Sequence, residues 1–73
     1  MSDIHQQFVV IWANLSRAMD SVSDSESMTY RYAYDNADKR MADADRYLQL
    51  ASQKMQEIRV DMFTLQTTPR DKP

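Results

Sequence analysis

Apolar residues recur along this chain at alternating intervals of three and four, the spacing of a helix with one buried side. The first run is Ile4, Phe8, Ile11, Leu15, Ala18 and Val22, which Val9, Trp12 and Met19 widen into a face. It predicts a first helix over about residues 3–22, capped by Ser2 or Asp3. The second run is Tyr34, Ala37, Met41, Ala44, Leu48, Ala51, Met55, Ile58, Met62 and Leu65, with Tyr30 one step earlier. A seven-residue repeat sustained this long is the pattern of coiled-coil-like packing. It predicts a second helix over about residues 24–67, stopped by Thr67, Thr68 and Pro69. The stretch Tyr30-Arg31-Tyr32-Ala33-Tyr34 alternates locally like a strand, but the helical spacing passes through Tyr30 and Tyr34 unbroken.

The small polar residues from Ser21 to Ser27 separate the two runs and make the expected turn. Ser23 and Glu26 have the spacing of a capping box, and Asp24 and Glu26 suit the positive end of a following helix. So short a connection makes the two helices antiparallel neighbours. The expected fold is all-α: a two-helix antiparallel hairpin, short helix first and long helix second, assembling into a dimeric bundle or coiled coil. One domain is expected over residues 1–68, with residues 69–73 as a flexible tail.

With these boundaries the two helices span roughly 30 and 65 Å. The first ends beside Ala44, and the apolar stripe from Tyr47 to Leu65 has nothing on it. Burying one large aliphatic side chain contributes about 1.5–3 kcal/mol. Five or six left in water forfeit on the order of 10 kcal/mol, the whole net stability of a small domain. The expected interface is therefore Leu48, Ala51, Met55, Ile58, Met62 and Leu65, continued by Ala44 and Met41.

An antiparallel homodimer is the first candidate partner. Centring the second helix on its copy between Leu48 and Ala51 sets Ala44 against Met55 and Ala37 against Met62, large residues facing alanine. The flanks then match Asp38 with Arg59 and Arg40 with Asp61. Another helical protein is the alternative partner, since the methionines of this stripe adapt easily to a foreign surface.

Composition narrows the choice. The chain has 73 residues, no cysteine and no glycine, so neither disulfides nor glycine-built phosphate loops are available. A formal charge of −2 with interspersed signs gives no basic field for nucleic acid. No apolar run approaches the roughly 20 residues needed to span a bilayer. The amino end lacks the basic segment of a signal peptide, so the cytoplasm is the default expectation.

Candidate chemistry is sparse. His5, the single histidine, sits among glutamines near the amino end and reads as solvated. Asp35, Asp38, Asp43 and Asp45 lack the Glu-x-x-His pattern of a helical di-metal site, so no metal, cofactor or catalytic residue is expected. Lys39, Arg40, Arg46, Lys54 and Arg59 could meet phosphate, but interleaved carboxylates cancel much of their field. Trp12 and Tyr32 are candidate recognition aromatics, at an end expected to gather Trp12 with the tyrosines. The expected function is a non-enzymatic protein–protein interaction module, in the manner of a small phage or plasmid regulator or inhibitor. The alternatives are a secretion-system co-chaperone in a heteromeric helical complex and an RNA- or DNA-binding hairpin dimer.

Overall fold

The computed structural model describes residues 3–67. Two helices account for nearly all of them: α1, Ile4–Tyr30, and α2, Tyr34–Thr67. They pack side by side along their length as an antiparallel all-α hairpin. The expected tail at 69–73 and the alternative cap Ser2 lie outside the described residues. Asp3 caps α1, its carboxylate accepting the His5 N–H at 2.9 Å. The Asp3 carbonyl takes the Gln6 and Gln7 N–H groups at 3.1 and 3.3 Å.

The turn falls eight residues later than the polar stretch suggests, because α1 continues through Ser21–Ser27 to Tyr30. The helix stops through two backbone bonds, Tyr32 N–H to Thr29 O at 3.0 Å and Ala33 N–H to Met28 O at 2.9 Å. Together these make a Schellman motif, which needs a left-handed residue at the position Tyr32 occupies. Tyr32 takes it, with φ 62°. Glycine normally fills that place, and for a non-glycine residue the conformation costs roughly 1–2 kcal/mol. Ala33 begins the next helix at once, its carbonyl accepting the Ala37 N–H at 2.9 Å. Ser23 and Glu26 are consequently mid-helix residues and form no capping box.

The later turn changes what the serines do. In α1 the buried residues are Gln7, Ile11, Asn14, Ala18, Ser21 and Ser25, again spaced by threes and fours. In α2 they are Ala37, Ala44, Ala51 and Ile58, one row of seven-residue period. Toward the turn the seam is made of small side chains, Ala18, Ser21 and Ser25 with Ala37 and Ala44, which let two backbones approach closely. Ser25 Oγ donates to the Ala37 carbonyl at 2.6 Å across it. Ser21 Oγ is buried with no hydrogen-bond partner among the described residues. The larger apolar core lies toward the open end, where Ile11, Ala51 and Ile58 pack with Ile4 and Leu15.

A longer α1 also reaches further along α2. Gln7 Nε2 donates to Asp61 Oδ2 at 2.9 Å, so α1 covers α2 almost to its end. The expectation that residues 47–65 extend bare beyond the first helix does not hold. Ala51 and Ile58 are 1% and 2% exposed against α1. Of that inward row, Leu65 alone among the described residues lies past α1 and is exposed.

Candidate functional site

The two rows of the α2 repeat face different surroundings. Ala37, Ala44, Ala51 and Ile58 point into the hairpin seam. The companion row, Tyr34, Met41, Leu48, Met55 and Met62, is exposed. Ala44, Ala51 and Ile58, expected at an intermolecular interface, are therefore taken up by the chain's own fold. Met41, Leu48, Met55, Met62 and Leu65 of the same expected set remain open to solvent.

In α1 the stripe divides in the same way. Ile11 and Ala18 are buried, while Phe8 and Val22 are exposed and Leu15 is half-buried. Phe8, Leu15 and Val22 form a row of seven-residue period beside the seam. It runs along the same side as the exposed row of α2. One groove is lined by Trp12, Leu15, Met19, Val22 and Leu48. The next is lined by Val22, Met41 and Leu48 together with Asp38 and Asp45. The result is a lateral apolar face to which both helices contribute, running along the hairpin instead of lying at its end. Leu48 and Met41, near its middle, are 47% and 48% exposed.

The opposite side carries the ion pairs, with Val10 and Leu50 exposed among them. Arg40 bridges Asp24 of α1 at 3.0 Å and Asp43 at 2.9 Å, and Arg46 reaches Asp43 at 3.1 Å. Asp43 first, then Asp24, hold the Arg40 guanidinium above its ordinary pKa by hydrogen bonding. The Arg17 guanidinium lies 6.0 Å from the centre of the Tyr47 ring. Lys54 meets Glu57 at 2.7 Å. Arg40 and Asp61, expected to pair between copies, are each engaged within the chain, Arg40 by Asp24 and Asp43 and Asp61 by Gln7. Asp38 and Arg59 make no ion pair among the described residues, and both are exposed.

The two candidate recognition aromatics do not form one site. Tyr32 is at the turn, where its ring meets Tyr34 edge-on with centroids 6.4 Å apart. Trp12 sits a third of the way along α1, about 30 Å from the turn at the rise of an α-helix. It is 68% exposed and belongs to the rim of the lateral face. Sequence reasoning passed over Val22, Phe8, Leu15 and Met19 as interface residues. The signal was present in the unbroken spacing through Ser21 and Ser25, which makes them seam residues and turns Val22 outward.

Among the described residues there is no group of three or more potential metal ligands. No helix there is long and apolar enough to cross a membrane. The fold and surface define an all-α helical hairpin with one apolar side and one ion-paired side. Comparison with protein-family models, curated proteins and solved structures gives no match to this chain.

Proposed function

We propose that this chain is a non-enzymatic protein–protein interaction module that works through the lateral apolar face. One observation carries the reading. The hairpin closes on alanines, serines, Gln7, Asn14 and two isoleucines, while Phe8, Val22, Met41, Leu48 and Met55 stay exposed along one side. Single exposed apolar residues are ordinary, but a continuous row on both helices of a small domain marks an association surface. Trp12 and Met19 at its edge are residue types that anchor interfaces. The paired cations Arg40, Arg46 and Lys54 on the other side weigh against a phosphate-binding role. A small regulator or inhibitor that acts by occupying another helical surface fits such a module.

The test is binding of a fluorescent apolar dye to the purified chain, read together with its solution mass. Two results support the reading. Either a monomer binds the dye and loses it on Leu15→Lys with Leu48→Lys, or an oligomer excludes the dye because its face is covered. A folded monomer that binds no dye overturns it.

A further inference from the structure

The rim of the lateral face carries charge in an ordered way. On the α2 side the rim row is Asp38, Asp45, Ser52 and Arg59, running from turn to open end. Asp38 and Asp45 line the groove beside Met41 and Leu48, and Arg59 lies beside Met62. On the α1 side the rim row is His5, Trp12, Met19 and Glu26, running from open end to turn. Trp12, Met19 and Glu26 line the groove with Leu48. The turn half of the rim is therefore acidic, and the open half carries Arg59 and His5.

We propose that the occupant of this face is a second copy of the chain, stacked antiparallel. The two-fold axis crosses the face at the level shared by Leu15 and Leu48. This rests on the interaction reading above and names its partner. Two antiparallel helices stacked about such an axis bring together residues equally far on either side of it. On α2 that places Leu48 against its own copy, Met41 against the second copy's Met55, and Tyr34 against the second copy's Met62. On α1 it places Leu15 against its own copy, Phe8 against the second copy's Val22, and Trp12 against the second copy's Met19. Both helices reach this matching at one common level of the hairpin, so a single rigid stacking satisfies both.

The rims then meet with opposite sign where Asp38 faces the second copy's Arg59, and Glu26 faces the second copy's His5, whose ring N–H can donate to it. The other closed stacking has its two-fold axis along the helices and lays α1 over the copy's α2 with both turns at the same end. It sets Glu26 against the second copy's Asp38, like against like, and leaves Arg59 facing the second copy's His5 with no carboxylate. Charge pattern therefore selects the antiparallel arrangement, as opposed potentials fix orientation at interfaces generally. The area is sufficient as well. A face two helices wide and about 40 Å long offers roughly 800 Å² per copy, the size of a standard stable interface.

The test combines mass with a distance. The chain has no cysteine, so Arg31→Cys introduces a single spin-label site beside the turn, where Arg31 is exposed. Light scattering is expected to give a dimer, and pulsed electron–electron resonance a label separation of roughly 50 Å, since the turns lie at opposite ends. A dimer with labels closer than about 35 Å overturns the antiparallel stacking and leaves the interaction reading intact. A monomer that binds apolar dye overturns the second copy, again without touching that reading. Charge reversal supplies an independent check. Asp38→Arg is expected to weaken dimerisation about tenfold, and Asp38→Arg with Arg59→Asp to recover most of it. Failure of the double variant to recover counts against this register.

Discussion

The seam inside the hairpin and the face along its side are built from the same heptad repeat, yet they hold opposite kinds of residue. The seam keeps Ala37, Ala44 and Ala51 on α2 against Ala18, Ser21 and Ser25 on α1. The face keeps Met41, Leu48 and Met55 on α2 beside Leu15 and Val22 on α1. Small seam residues bring the two backbones close but bury little apolar area, and apolar area is the main source of stability in a small domain. Apart from Ile11 and Ile58, the larger apolar side chains, which could have supplied that area, stand outside the seam. A hairpin divided in this way closes on small side chains and leaves most of its larger apolar ones at the surface, the arrangement on which the proposed association rests.

Substitutions at the two surfaces should separate these roles. The largest effect is expected from Ala51→Glu, which forces a carboxylate into a position 1% exposed where the helices touch. Loss of 3 kcal/mol or more is the order for an unpaired buried charge, enough to abolish the helical signal in circular dichroism. A variant that keeps its helicity would show that the seam is looser than described. Leu48→Glu acts on the face instead. It is expected to eliminate self-association and to remove the concentration dependence of the thermal midpoint, because a midpoint coupled to dimerisation rises with concentration.

The two buried serines sharpen the comparison within the seam. Ser25→Ala deletes the hydrogen bond to the Ala37 carbonyl and is expected to cost about 1 kcal/mol. Ser21→Ala removes a buried hydroxyl without a partner among the described residues and is expected to be neutral or stabilising by up to about 1 kcal/mol. Thermal melts of the pair should move in opposite directions or differ by several degrees. The smallest effect is expected at the turn. Tyr32→Gly relieves the left-handed backbone but gives up the edge-on ring contact with Tyr34, leaving a net gain of roughly 0.5–1 kcal/mol.

The helical hairpin and the heptad positions could be read directly from residue spacing, and the cap narrows to Ser2 or Asp3, of which Asp3 serves. The turn could not. Its stop signal is a backbone geometry that sequences usually mark with glycine, and here a tyrosine adopts it in a chain without glycine. Small polar residues at Ser21 and Ser25 look like a loop when counted by composition. They are seam residues when the spacing Ile11, Ala18, Ser25 is followed through them. That single displacement lengthened α1, moved Trp12 away from the tyrosines, and drew Ala44, Ala51 and Ile58 inside. Asp38 and Arg59 kept their place on an exposed rim, whereas Arg40 and Asp61 passed to intramolecular partners.

The methionines offer the most direct measurement of whether the lateral face is where the chain associates. Met19, Met41 and Met55 lie on or beside that face, whereas Met28 belongs to the seam side near the turn. Methyl resonances of isotope-labelled protein can be followed as it is diluted from a dimer toward the 8.6 kDa chain. The expected result is that Met19, Met41 and Met55 shift together with the fall in mass while Met28 stays in place. A fall in mass with those three unmoved, or a chain that remains 8.6 kDa at every concentration, contradicts the self-associating face.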